Sequence, residues 1–304
     1  PIGGKLARLD IEAARRAIAE RIGAPLGLAP EDAAEAILKV ANARMAGAIR
    51  LVSIERGHDP AKFAAMPFGG GGALHTGALI REVGLGSAIV PRYPGVTSAL
   101  GCVVADMRLD RVQTVNRLLG ELDPGALGRE MQAVAETLAA ELDRAGVDFV
   151  GKDRLFEFDM LYLGQTHTVR VPVEIGAGGL SAAAIREAFE AAYREAYGRL
   201  LEGIPMRVMN YRVAAIGRRP AFDMGLLAPR DGRPAADCRT ATRQVYCNGQ
   251  WLEAGVYDRL ALAAGERIDG PALMEQPDAT CFVDPGLSAR VDRFGNLIIE
   301  RSQG

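Results

Sequence analysis

Four consecutive glycines, Gly69 to Gly72, constrain the fold of this chain more than any other feature. The apolar run Phe63 to Phe68 before them predicts a buried strand, and the periodicity of Ala73 to Val83 predicts a helix. Glycine lacks a Cβ, so such a turn can adopt positive φ, and the helix start adds free N–H donors. The stretch therefore favours a phosphate, nucleoside or carboxylate site, although a tight packing turn explains the same residues.

The composition excludes several classes of protein. The 304 residues are 49% hydrophobic and 24% charged with a net charge of −2, which is typical of a soluble globular chain of two or three domains. No basic tract indicates nucleic-acid binding, and no signal peptide or apolar run of about 18 residues is present. The scattered cysteines predict reduced thiols and a cytoplasmic protein, and the three separated histidines predict no metal site within this chain.

The first 117 residues are predicted to form an α/β domain. Helical spacing over Asp10 to Ile22 and Pro30 to Arg56 predicts two helices. The second is apolar on almost all sides, so we expect it to be packed on more than one face. Ser87 to Val90 and the alternating stretch Met107 to Val115 predict two strands. This order of elements is typical of an α/β domain.

Two further domains are predicted after it. Residues 118–220 form an α+β pattern with helices at Asp123 to Ala145 and Ser181 to Leu200. The strands of this block are predicted at Arg154 to Leu163, Thr166 to Val173 and Met206 to Ile216. Residues 221–304 have almost no helical periodicity and predict a small β domain with its clearest hairpin turn at Asn248-Gly249. Its strands are predicted at Gln244 to Cys247, Trp251 to Tyr257, Ala272 to Glu275, Thr280 to Val283, Ser288 to Asp292 and Leu297 to Glu300.

Four collinear stretches resemble the C-terminal half of a hydantoinase A/5-oxoprolinase family protein. They are MPFGGGGALHTGALIREVG at 66–84, IVPRYPGVTSALGCVVADMRLDRVQTV at 89–115, FDMLYLGQTHTVRVPV at 158–173 and IDGPALMEQPDATCFVDPGLSARVDRFGNLII at 268–299. The resemblance implies half of an actin-like, ribonuclease-H-like ATPase fold, followed by an α+β domain and a β-rich domain. It implies ATP-dependent opening of cyclic amides such as hydantoins, 5-oxoproline or lactams, while some relatives carboxylate ketones. It also implies a hydantoinase B-type subunit or fused domain as partner, with a homo-oligomer possible.

The resemblance assigns the adenosine side of the nucleotide to the glycine-rich turn. On this chain the corresponding residues are Gly69, Gly70, Gly71, Gly72, Ala73 and His75. The turn departs from the family's GGAGPLH at Gly71 and Ala73. The family's Asp-Gly-Gly-Thr phosphate loop does not occur in these 304 residues. The residues that hold Mg or another divalent metal are likewise expected outside them. Because the chain also begins at Pro1, we expect a fragment that is inactive alone.

Several single residues keep two interpretations. His75 either hydrogen-bonds a ligand or packs under the turn, and Thr97 and Ser98 either contact a ligand or cap a helix. Asp106 is either a general base or a surface carboxylate. No catalytic residue is assigned on this basis.

Three more residues are predicted to be structural. Gln165 and His167 lie at the predicted hairpin turn, where an interface role is the alternative, and Trp251 is predicted to anchor a core. No G-x-S-x-G elbow indicates a serine hydrolase. A non-catalytic nucleotide-binding or assembly module is the alternative to the enzyme subunit, and a subunit of a related ATP-dependent carboxylase is another.

Overall fold

The computed structural model describes residues 9–302, which form two compact units. The first unit combines residues 9–103 with residues 223–302, and the second contains residues 104–222. The sequence division placed boundaries at 117/118 and 220/221 and treated the last stretch as a domain of its own. The structure instead groups the first and last stretches of the chain in one unit.

The helices follow the predicted positions closely. They are α1 (Ile11–Ile18), α2 (Ala24–Leu26), α3 (Pro30–Val52), α4 (Thr76–Val83), α5 (Thr97–Val104), α6 (Pro124–Asp143), α7 (Ala182–Tyr197) and α8 (Ala235–Cys238). A π-helical segment, Ala19–Gly23, joins α1 to α2, so the first predicted helix continues past its expected end.

The strands form three sheets. They are β1 (Ala64–Ala65), β2 (Ser87–Val90), β3 (Met107–Leu118), β4 (Gly151–Tyr162), β5 (Val169–Val173), β6 (Met206–Arg218), β7 (Arg239–Cys247), β8 (Gln250–Asp258), β9 (Arg267–Asp269), β10 (Ala272–Gln276), β11 (Ala279–Val283), β12 (Leu287–Val291) and β13 (Leu297–Arg301). The predicted class of mixed α/β is confirmed at this level.

Strand pairing explains why the two ends of the chain share one unit. One sheet has the order β1-β2-β13-β12-β9, in which β13 pairs antiparallel with β2 through Val90 and Leu297. The other has the order β11-β10-β8-β7. Ile80 of α4 is fully buried in the same core cluster as Val283 and Ile299. This long-range pairing is not visible in the periodicity of either stretch alone.

The strand before the glycines is much shorter than predicted. Only Ala64 and Ala65 pair, in parallel with β2, while Phe63 and Phe68 are about half exposed. Pro67 lacks an N–H donor and disfavours helical and regular ladder geometry next to it, which limits the strand at its C-terminal end. The prediction of a strand is therefore confirmed only at Ala64–Ala65, and the predicted burial is wrong, because Ala64 is exposed and Ala65 is only partly buried.

Helix α3 contacts the segment Ala19–Gly23 near its start and α4 further along, while part of its apolar surface is exposed. Its buried positions are Ala33, Asn42 and Ala46, whereas Ile37 and Val40 are 43% and 58% exposed. Because Ala33 and Asn42 are nine residues apart, they lie on opposite sides of the helix, which agrees with packing on more than one face. The exposure of Ile37 and Val40 was not expected, since the buried positions are small residues and one asparagine.

The second unit packs α6 and α7 with an antiparallel sheet of order β3-β6-β4-β5. Its core contains Phe158, Phe189 and Tyr193, and Tyr162 meets Phe189 edge to face with ring centroids 4.9 Å apart. The predicted helices and strands of this block are thus found in the structure.

One carboxylate of this unit is buried. Asp159 is 5% exposed and accepts hydrogen bonds from Arg212 Nε at 3.0 Å and Asn210 Nδ2 at 2.9 Å. Burial disfavours the charged form, but the hydrogen bonds from Arg212 and Asn210 outweigh it, so the pKa of Asp159 is lowered. The carboxylate therefore stabilises the folded unit at neutral pH.

We expect Asp159→Asn to lower the free energy of unfolding by about 2 kcal/mol at pH 7, because hydrogen bonds to charged groups are the stronger ones. A carboxyl group with a lowered pKa contributes stability above its unfolded pKa, and this contribution is lost as the pH falls through the folded value. The difference from the wild type should therefore shrink in urea unfolding at low pH. Asp153→Asn, at an exposed position of the same strand, is the control. An equal loss at both pH values would contradict this role.

Candidate functional site

The glycine turn, Gly69–Gly72, is open to solvent. Gly69 has φ of +79°, a conformation that L side chains rarely adopt. Gly70 and Gly71 are exposed, and a Cβ built on Gly69 or Gly71 would meet no atom within 4 Å. A 3₁₀ segment, Gly72–Leu74, then leads into α4. The turn is therefore accessible to a ligand rather than covered by other described residues.

A second loop holds the glycine turn in place. Gly69 N donates to the carbonyl of Pro94 at 2.6 Å, and Gly95 N donates to Asp278 Oδ2 at 2.9 Å. A Cβ on Gly95 would lie only 2.6 Å from Asp278 Oδ2, so this close approach requires glycine. Asp278 lies in the turn between β10 and β11, where Oδ1 accepts from Gln276 Nε2. The C-terminal part of the chain thus supports the glycine turn.

His75 lies directly before α4 and is held by a residue of α3. Its Nδ1 is 2.7 Å from Oδ1 of Asn42, which is 8% exposed. An amide oxygen accepts, so Nδ1 carries the hydrogen and Nε2 of a neutral ring is left as an acceptor. This contact lies within the protein, so both predicted roles of His75, hydrogen bonding to a ligand and packing under the turn, stay predictions.

A cavity of about 370 Å³ adjoins His75 within the first unit. It is bounded by α3, α4, β10, β11 and the turn between β7 and β8. Its apolar wall is formed by Leu38, Leu74, Ala78, Val245, Leu273 and Phe282. Its polar groups are Glu35, Lys39, Asn42, His75, Arg81, Glu82, Tyr246, Cys247, Asn248 and Asp284. Apolar walls with a few placed polar groups are typical of small-molecule sites.

The β7–β8 turn is tied to α3 on one side of this cavity. Glu35 accepts from the backbone N–H of Asn248 and from Lys39, and the hydrogen bond from Lys39 is the main cause of the lowered pKa of Glu35. Tyr246 donates to Asp32 Oδ1 at 2.5 Å, and this bond raises the pKa of Tyr246 to about 12. The turn is thus fixed by two carboxylates of one helix.

Thr97 and Asp106 take structural roles in the described residues. Thr97 begins α5, and its Oγ1 donates to the carbonyl of Tyr93 at 3.0 Å, while Ser98 is exposed. Asp106 belongs to the second unit, where it accepts from the N–H of Arg219 and the side chain of Arg218, and both lower its pKa. A lowered pKa makes a carboxylate a weaker base.

The remaining candidates of the sequence lie away from the glycine turn along the chain. Gln165 donates to Tyr193 Oη at 2.7 Å, which is a structural contact, and His167 is exposed beside Thr166. Trp251 is 56% exposed and meets Tyr246 edge to face, so the prediction that it anchors a core is wrong.

Three negative findings apply to residues 9–302. The four cysteines form no disulfide there. No group of three or more His, Cys, Asp or Glu side chains is placed to hold a metal ion. None of the described helices has the length and apolar character needed to cross a membrane.

The fold and the glycine turn define a mixed α/β protein with three sheets and an open turn before a helix. The family model for hydantoinase/oxoprolinase matches residues 3–111, and that for the hydantoinase/oxoprolinase C-terminal domain matches residues 125–300. The chain therefore belongs to the hydantoinase/oxoprolinase family, which confirms the resemblance found in the sequence.

Individual relatives extend over nearly the whole chain. The caprolactamase alpha subunit of Pseudomonas jessenii is 30% identical over 301 residues, covering 96% of this chain and 42% of the relative. The acetone carboxylase beta subunit of Xanthobacter autotrophicus is 27% identical, covering 93% of this chain and 41% of the relative. The crystal structure of ATP-dependent caprolactamase from Pseudomonas jessenii matches with a TM-score of 0.76 and 27% identity, over 99% of this chain and 44% of that one. The chain thus spans less than half the length of these relatives.

Several residues around the site were missed by sequence reasoning. Of these residues, Asn42 could have been identified from the sequence, because it is a polar residue within an Ala-rich apolar helix. Asp278, Gln276 and Asp284 come from a region that is distant in sequence, so no local pattern connects them to the glycine turn.

We expect Gly95→Ala to loosen the glycine turn, because the added methyl group would overlap Asp278 and overpacking costs about 1–3 kcal/mol. Hydrogen exchange of the amides at 69–72 and 93–97 should become faster. Gly71→Ala is the matched control, since open space surrounds that position and its φ of −104° suits alanine. Unchanged exchange in Gly95→Ala would show that Asp278 does not support the turn.

Proposed function

We propose that this chain is part of an ATP-dependent cyclic-amide hydrolase of the hydantoinase/5-oxoprolinase type, in which it supplies the adenosine side of the nucleotide cleft. The observation that carries the proposal is the open glycine turn before α4, in a chain whose relatives include an ATP-dependent caprolactamase. The proposed contacts to the nucleotide come from Gly69, Gly70, Gly71, Gly72, Ala73 and His75.

An actin-like, ribonuclease-H-like ATPase fold is part of this proposal. The parallel pairing of β1 and β2, with the glycine turn and α4 between them, supports it. The N–H groups of the exposed turn would approach the ribose or the α-phosphate, where a side chain would block access. Ala73 is fully buried, so it would act through the backbone alone.

In the proposed reaction, ATP supplies a phosphoryl group that activates the amide carbonyl toward attack by water. Phosphoryl transfer demands a metal ion and cationic or backbone donors around the phosphates. The described residues hold no group fit for the metal, and the Asp-Gly-Gly-Thr loop is absent from the sequence. We therefore assign nucleotide binding to this chain and the phosphoryl step to other parts of the assembly.

The partner subunit, the substrate and the cellular location are part of the same proposal. Relatives named as alpha and beta subunits support a multi-subunit assembly, in which we propose a hydantoinase B-type subunit or fused domain as the partner. The substrate would be a small cyclic amide, and the free cysteines support a cytoplasmic location. The match to an acetone carboxylase subunit favours one alternative, an ATP-dependent carboxylase.

We expect calorimetry to detect ATP and ADP binding to the purified chain and Gly70→Val to weaken it at least tenfold, or by about 1.4 kcal/mol. A valine side chain would occupy the exposed face of the turn, where its Cβ already lies 3.3 Å from the carbonyl of Asp278. Gly120→Val, at an open position of the second unit, is the control.

Two results would count against the proposal. Equal binding by wild type and Gly70→Val would remove the turn from the nucleotide site. ATP hydrolysis by this chain alone at an ordinary enzymatic rate would contradict the assignment of the phosphoryl step to other parts.

A further inference from the structure

We propose that the cavity beside His75 binds a planar heterocycle whose edge carries an N–H donor next to a hydrogen-bond acceptor. Cyclic amides and the adenine base both present such an edge. Asn42 and His75 would form hydrogen bonds with this edge. The inference rests on the proposed function only for the choice of probes, because the groups that would bind the ligand belong to the cavity alone.

The hydrogen-bonding groups of the cavity are complementary to this edge. Asn42 Oδ1 is engaged by His75 Nδ1, which leaves His75 Nε2 as an acceptor and Asn42 Nδ2 as a donor. Within residues 9–302, the Asn42–His75 contact is the one side-chain hydrogen bond of either group, so both nitrogens remain available at the cavity wall. A ligand N–H would donate to Nε2, and the adjacent ligand acceptor would take a hydrogen bond from Nδ2.

The charges of the cavity disfavour an anionic ligand. Arg81 is paired with the buried carboxylate of Asp284, Lys39 is paired with Glu35, and Glu82 adds another carboxylate to the wall. Because each cation already has a carboxylate partner, a phosphate or carboxylate would enter without a free positive charge to receive it. A neutral ring needs no such partner.

Cys247 does not change this balance. Burial raises the pKa of its thiol, so it remains protonated at neutral pH. Cys247 is therefore a neutral residue of the cavity wall and does not act as a nucleophile.

The size and walls of the cavity suit a flat ring. A volume of about 370 Å³ lies at the lower end of the range for small-molecule sites. Leu38, Leu74 and Phe282 supply apolar surface for the ring faces. Leu74 is 45% exposed, so the walls are not closed over and a ligand can enter.

The test uses adenosine and 2-pyrrolidone as separate probes in ligand-observed NMR and calorimetry with the full chain. We expect at least one of them to bind, and the one that binds identifies the source of the edge. N6,N6-dimethyladenosine and N-methyl-2-pyrrolidone lack the N–H donor and should bind at least tenfold more weakly than their parents. Asn42→Leu should cause a loss of the same size.

Arg44→Leu is the matched control, because it makes a polar-to-leucine change at an exposed position of the same helix. If Asn42→Leu does not fold, as judged by circular dichroism, Leu74→Trp replaces it, since the larger ring at the exposed rim fills the cavity without burying a polar group. This variant should also abolish binding.

The outcomes separate the two proposals. Failure of both probes to bind, or equal binding by Asn42→Leu and Arg44→Leu, would overturn the cavity site. If ATP binding is lost in Gly70→Val while neither probe binds, the inference fails and the proposed function stands. If a probe binds and responds to Asn42→Leu while ATP does not bind, the inference stands and the proposed function fails.

Discussion

The position of the glycine turn depends on hydrogen bonds from the far end of the chain. Gly69 is fixed by Pro94, and Gly95 of the same loop is fixed by Asp278, more than 180 residues away in sequence. The pairing of β13 with β2 brings these regions into one core. The loop of Pro94 and Gly95 holds the turn without covering it, so the turn remains open. A ligand would therefore need to reorganise little backbone to bind.

The same packing creates the cavity. The buried positions of α3 are small residues and Asn42, so α4 and the β7–β8 turn leave a space beside His75. Its two cations are each paired with a carboxylate, and Glu82 adds a further carboxylate at its wall. The exposed turn and the cavity are therefore chemically different surfaces, joined through the start of α4. This difference explains why we assign contacts with the ribose or the α-phosphate to the turn and ring recognition to the cavity.

Sequence patterns predicted most helices and strands because these depend on local periodicity. The strand–glycine–helix order and the family were found in the same way, from local or collinear motifs. The domain division was not, because the pairing of β2 with β13 has no local signal. The exposed faces of α3 and Trp251 were misjudged since apolar character alone does not decide burial. The support by Asp278 and the His75–Asn42 contact join residues distant in sequence, so only the fold reveals them.

We propose that a nucleotide binds this chain at the open glycine turn. Titration of the ¹⁵N-labelled chain with ADP, followed by amide chemical shifts, tests it most directly. We expect the largest shift changes at the amides of Gly70 and Gly71, with smaller changes in the loop that contains Gly95. ADP binding with shift changes confined to other regions, or no shift change at saturating ADP, would contradict it.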